Sequence, residues 1–223
     1  MKIVDFDKFN ISERLKVSEF YIGNTGSKII KIKNFFKDPE FMREYALNAY
    51  YIDEKEMRGL GKHDDRTHWF THRFSMDFEQ YDLFFDKVKA DIFFDGNVQY
   101  ATLPNHYNFQ YYDKMHTENF PHNDPVHYAG VLSLNYDHEL KGTGSATKFH
   151  RLKKTGEEYT LNNTYRSVRP NNSPIEDFEC YHSELHEFNT FIVYEARLFH
   201  SAYCDYSKWT SDVKRLTFNC FTW

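Results

Sequence analysis

Apolar residues follow two rhythms along this chain. Before about residue 96 they mostly recur at steps of three and four; after it they mostly alternate with polar ones. Ile29 to Phe36 is an early exception, with Ile30-Lys31-Ile32-Lys33 predicting a strand with one wet face. Asp38-Pro39-Glu40 then supplies an N-cap, a proline at the first helical position and an acid in the first turn, so a helix should run to about Asn48. Phe78, Tyr81, Phe84, Phe85, Val88 and Ile92 make one apolar helical face and predict a second helix from Met76 to Phe94. Gly23-Asn24-Thr25-Gly26 reads as a turn, and the charged stretch 53–74 as a long excursion. Beyond Gly96, Val98–Leu103, Tyr107–Tyr112, His127–Tyr136, Thr147–Leu152, Phe188–Tyr194 and Arg215–Trp223 all read as strands. Residues 155–181, rich in Asn and Pro, read as a long irregular insertion, a length that is usually either functional or disordered inside a compact domain. The order predicts a mainly β fold with flanking helices (α+β), a sandwich or barrel buttressed by N-terminal helices.

Composition narrows this picture. At 223 residues, with no repeat or Pro/Gly-rich linker, one domain is expected over 1–223, with 1–96 as support and 97–223 as the β core. Aromatic residues reach 19%, which suits half-buried pleated surfaces. The net charge of −5 argues against a dedicated nucleic-acid binder, whose affinity rests on phosphate neutralisation. Cys180, Cys204 and Cys220 are odd in number and lack CxxC spacing, which points to a reducing compartment. MKIVDFDKFN has no apolar stretch fit for a signal peptide, and no run of ~18 apolar residues exists to span a membrane. The expected location is cytoplasmic.

Among twelve histidines, His122 stands out because Asp124 follows two residues later, between Pro121 and Pro125. In an extended segment both side chains face the same spot. Downstream, the apolar strand Phe188–Tyr194 runs into Leu198-Phe199-His200-Ser201, and Arg215 opens a final strand. Two histidines and one carboxylate form the facial set of non-haem Fe(II) oxygenases, which leaves positions open for other ligands. An arginine, always charged and fork-shaped, suits a distal carboxylate. A rival cluster spans Gly61 to His72. There His68 and His72 have the i, i+4 spacing of helical zinc sites, but H-W-F-T-H lacks the glutamate of H-E-x-x-H; a lid or substrate-binding role suits the segment better. His150, His182 and His186 read as non-ligands, and Lys148, Arg151, Lys153 and Lys154 as a solvated strand face.

The sequence resembles the Fe(II)/2-oxoglutarate-dependent dioxygenases, closest to the prolyl-hydroxylase-like branch and its bacterial and phage members. The resemblance rests on Pro121–Asp124, Ala129-Gly130-Val131-Leu132, Gly142-Thr143, Phe149-His150-Arg151, Thr155-Gly156, Phe188–Tyr194, Leu198–Ser201 and Arg215–Thr217. It covers roughly 97–223 and, more loosely, Lys31–Asn48. The run Gly142–Thr147 departs from the family's shorter G-G-T. The resemblance implies a double-stranded β-helix (jelly roll) with iron held by His122, Asp124 and His200. It also implies a 2-oxoglutarate carboxylate on Arg215, with Thr217 and Tyr112 assisting and Tyr111 as the competitor of Tyr112. Cofactors would be Fe(II), 2-oxoglutarate and O2, with ascorbate as an accessory. The product would be a hydroxylated substrate, with succinate and CO2 released; Asp124 stands where halogenating relatives have a small residue. The substrate could be a protein side chain, an amino acid or a nucleobase. Two other readings are a jelly-roll binding protein without catalysis and a virion or assembly protein.

Overall fold

A computed structural model describes residues 9–49, 52–53, 71–76, 81, 106–112, 120–124, 126–159, 174–213 and 215–222. Among them are β1 (Lys16–Ile22), β2 (Ser27–Lys33), α1 (Pro39–Asn48), β3 (Ile52–Asp53), β4 (Thr71–Met76), β5 (His106–Tyr112) and β6 (Tyr128–Ser133). They are followed by β7 (Ala146–Leu152), β8 (Phe178–Leu185), β9 (Thr190–Glu195), β10 (His200–Tyr203) and β11 (Arg215–Thr222). Eight strands make one sheet in the order β1-β2-β9-β6-β11-β5-β4-β3, and three make a second, β10-β7-β8. Every pairing within these two sheets is antiparallel. The result is a mainly β, jelly-roll-like sandwich with helical support.

The central strands β2, β9, β6 and β11 of the larger sheet are largely buried, and they divide their residues between two cores. Ile30, Ile32, Phe191, Val193, Leu216 and Phe218 point outward to Phe35, Phe36 and the α1 residues Met42 and Ala46. Ile29, Ala129, Ile192 and Tyr194 point inward to Phe149 of the smaller sheet. Phe191 to Tyr194 therefore reads as an unbroken apolar run although it is a strand, since alternate residues fill different layers. Aromatic rings dominate the outer core: Phe218 packs against Phe36, Tyr107, Phe109 and Phe191.

Local chemistry sets the ends of these elements. Asp38 Oδ1 accepts from the Phe41 backbone N–H at 3.0 Å, which starts α1 as its sequence predicts. β9 begins at Thr190 and not at the expected Phe188, because Asn189 sits in the left-handed region (φ 51). There Asn189 Oδ1 accepts from Phe36 N at 2.8 Å and its Nδ2 donates to Phe36 O at 3.0 Å, tying the start of β9 to the β2–α1 link.

Several expectations need correction. Met76 closes β4 and does not open a helix, and His72 lies in that same strand, so the helical zinc spacing does not hold at His72. Tyr81 is helical and buried, and its hydroxyl donates to Phe9 O at 2.7 Å; the rest of the expected helix to Phe94, and the strand Val98–Leu103, lie outside the described residues. The stretch 155–181 is not irregular throughout: β8 starts at Phe178 and pairs with β7 across a bulge between Phe149 and His150. Residues 160–173 lie outside the described residues. The wet face of β2 is not wet at Lys31, whose ammonium is clamped by Glu184 and Glu187 at 2.8 and 2.6 Å. The basic stretch is likewise engaged: Arg151 reaches Glu158 and Glu179, and Lys148 sits 3.5 Å from the centroid of the Tyr203 ring. No helix among the described residues is long and apolar enough to cross a membrane.

Candidate metal centre

The segment Phe120–Asp124 lies along the free side of β10 and joins it through one antiparallel bridge. His122 N donates to His200 O at 3.0 Å, and His200 N donates to His122 O at 2.8 Å. Directly opposed residues of such a pair project to one face. The two imidazoles accordingly lie with ring centroids 4.6 Å apart. Asp124, two residues on, is fixed by its own N–H on Ala196 O at 2.9 Å and projects to the same side. Its carboxylate lies 3.2 Å from His200 Nε2 and 3.8 Å from His122 Nε2. One ligand atom from each of the three residues falls within 4.8 Å of the other two.

Backbone carbonyls orient both histidine rings. His122 Nδ1–H donates to Phe120 O at 2.9 Å, and His200 Nδ1–H donates to Leu198 O at 2.8 Å. A carbonyl can only accept, so the proton is held on Nδ1 and each Nε2 keeps a lone pair for a metal. Metal–nitrogen and metal–oxygen bonds of roughly 2.0–2.2 Å put neighbouring donors about 3 Å apart, so modest closure of this set would fit one first-row ion. His200 is buried against Tyr194 (rings 4.9 Å apart), while His122 is about one-third exposed, so the set opens on the His122 side.

Arg215 and Thr217 are buried on β11, with Asn219 next along the same face. Leu216, Phe218 and Cys220 fill the outer core, so Arg215, Thr217 and Asn219 face the interior between the sheets. Thr217 Oγ1–H donates to Gln110 O at 3.4 Å, and Asn219 Nδ2 donates to Gln110 Oε1 at 2.8 Å and to Asn108 Oδ1 at 3.2 Å. Tyr112 is the register partner of Arg215, while Tyr111 pairs with Leu216 and packs against the outer core. Strand alternation thus separates the two tyrosines: Tyr111 belongs to the face away from Arg215.

Three polar groups at this end escape sequence reasoning. All three are buried: Ser145 and His186 beside Arg215, and Thr147 beside His186. Arg215 donates through Nε–H to Ser145 Oγ (3.3 Å) and through a terminal N–H to His186 Nδ1 (3.4 Å). Burial, then the charges of Arg215 and Lys31, hold His186 well below its ordinary pKa, so it is neutral. Only the β7–β8 register, which puts Leu185 opposite Ala146, brings His186 to Ser145; no local pattern encodes it. A second buried histidine, His150, accepts or donates at Ser201 Oγ over 2.8 Å. Burial foremost, then Lys148 and the two site histidines, push its pKa down to about 3.

No family model matches the chain, and no curated protein matches it. Among solved structures, a prolyl-4-hydroxylase from Pseudomonas putida is 10% identical, with 93% of this chain and 91% of that chain covered and a TM-score of 0.43. Vicilin from hazelnut (Corylus avellana) is 11% identical, with 76% and 36% covered and a TM-score of 0.31.

Proposed function

We propose that this chain is an Fe(II)- and 2-oxoglutarate-dependent oxygenase that hydroxylates a C–H bond of its substrate. The observation that carries the reading is the convergence of His122, Asp124 and His200 at one edge of the sandwich, with both Nε2 atoms held ready by backbone carbonyls. These three residues would hold the iron. Iron with 2-oxoglutarate supplies, when bound, the activation of O2, which sends one oxygen atom into succinate as CO2 is lost and the other into the substrate. Arg215 would take the far carboxylate of 2-oxoglutarate, with Thr217 and Tyr112 beside it. Its burial strengthens that pairing, because a guanidinium screened from water binds a carboxylate more tightly than an exposed one. Asp124 would fill the position that a halide takes in halogenating relatives, so the reaction is read as hydroxylation.

Anaerobic titration with Fe(II) and 2-oxoglutarate, then succinate release in air, tests this. The wild type should bind both, and His200→Ala should keep the fold but lose iron-dependent succinate. Wild-type succinate from His200→Ala would place the iron elsewhere. Protein that binds iron but not 2-oxoglutarate would be a metal-binding jelly roll without this activity.

A further inference from the structure

We infer that His186 is a positioning residue for the cosubstrate: it aims the Arg215 guanidinium at the far carboxylate of 2-oxoglutarate. The inference rests on the oxygenase reading above and adds a residue to it. The geometry comes from a part of the chain that departs from the family it resembles. The long run Gly142–Thr147 delivers two hydroxyls, Ser145 and Thr147, into the end of the sandwich where Arg215 lies. His186 follows the last residue of β8, and its N–H donates to Ser145 O at 3.0 Å, which fixes the backbone under the ring.

The ring's two nitrogens then have assigned duties. Arginine has no acceptor, so the contact from its terminal N–H makes Nδ1 the acceptor. Ser145 Oγ, which accepts from Arg215 Nε–H, can donate its own O–H to that same Nδ1 at 3.3 Å. The remaining proton sits on Nε2 and is donated to Thr147 Oγ1 at 3.1 Å. This is the opposite tautomer to that of His122 and His200. Two edges of the guanidinium are thereby held by Ser145 and His186, and both holders are neutral, so the positive charge of Arg215 is directed without being cancelled by them. A carboxylate in the same position would neutralise the arginine and compete with the cosubstrate.

The test uses full-length protein with manganese(II), which occupies His/carboxylate sites without turnover, and calorimetric titration with 2-oxoglutarate. His186→Phe keeps the ring volume and removes both nitrogens. It should weaken 2-oxoglutarate binding about tenfold, the scale of one hydrogen bond to a charged group, and leave manganese affinity unchanged. His186→Asn, whose Oδ1 can take the place of Nδ1 as acceptor, should recover most of the loss. Thr147→Val, which removes only the hydroxyl that orients the ring, should fall between and serves if His186→Phe does not fold. In succinate assays KM for 2-oxoglutarate should rise while kcat holds. A folded His186→Phe or Thr147→Val with lowered Tm and unchanged 2-oxoglutarate affinity would make the role structural and overturn the inference. Wild-type protein that binds manganese but not 2-oxoglutarate would overturn the oxygenase reading itself, a result separable from the first.

Discussion

At the scale of single residues, the chain commits charged and amide side chains to buried positions, and Arg43, Asn189, Arg215 and Asn219 find hydrogen-bond partners there. Arg215 is the chief case. Losing a charged pair whose other member stays buried costs several kcal/mol. Arg215→Ala should therefore raise the apparent KM for 2-oxoglutarate by about two orders of magnitude, with iron affinity little changed; Arg215→Lys should restore only part, because an ammonium lacks the fork. A wild-type saturation curve for Arg215→Ala would remove it from the cosubstrate site. Asn189 offers a test of stability without chemistry. Its side chain makes two hydrogen bonds to Phe36 while its backbone holds φ 51. Asn189→Ala should cost about 2–4 kcal/mol in denaturant unfolding. Asn189→Gly, which relieves the backbone but not the lost bonds, should cost less.

At the scale of elements, the β1–β2 turn shows how a distant side chain fixes a loop. Glu158 reaches into it and accepts from Asn24 N (2.9 Å), Thr25 N (3.2 Å) and the Thr25 hydroxyl (2.7 Å). Burial pushes the carboxyl's pKa up, but these donors and Arg151 outweigh it and hold the group below its ordinary 4.5. Gly23 and Gly26 both have positive φ, yet a Cβ at Gly23 would clash with the Glu158 carboxylate while Gly26 has nothing within 4 Å. Gly23→Ala should therefore lower Tm clearly more than Gly26→Ala; equal losses would mean that Glu158 does not seat in the turn. The same elements show what a sequence can reveal. Asp38-Pro39, the alternation of β5, β7 and β11, and the pair His122/Asp124 were legible because each depends on neighbours within a few residues. β8 was not: His182, Ser183 and Glu184 make Phe178–Leu185 too polar for a strand by pattern, and it exists because β7 offers it an edge and Lys31 a charge partner. β10 is four residues long and owes its other side to the His122 bridge. The residues around Arg215 were hidden for the same reason, since His186 and Ser145 meet only through long-range pairing.

At the scale of the whole molecule, acid should lower the stability of this protein over two ranges of pH. His150 and His186 are buried and neutral, with folded pKa values below the ordinary 6.5, so the unfolded chain binds more protons as the pH falls past 6.5. Their contribution is fully present above 6.5 and is lost as pH falls toward the folded values, about 3 for His150. The depressed carboxylates Glu139, Glu158 and Glu187 add losses only below about 4.5, their ordinary value. Between pH 6.5 and 5 the loss should thus belong to the histidines. His150→Gln should flatten the dependence of unfolding free energy on pH there by about one proton; an unchanged slope would show that His150 titrates normally. Metal should act in the opposite sense. An ion bound only by the folded chain raises stability with its concentration, so Tm should climb with added Mn(II) or Fe(II) in the wild type and stay flat in His200→Ala.

β11 is a ruler with two scales engraved on opposite edges. On one edge Leu216, Phe218 and Cys220 measure the fit of the support; on the other Arg215, Thr217 and Asn219 measure the reach of the chemistry. Sliding the ruler by one mark would drive a guanidinium into a wall of rings and set a phenylalanine in the interior place of Thr217. A single-residue deletion within the strand is therefore a double fault, while paired changes that keep its parity can retune one edge and leave the other as it was.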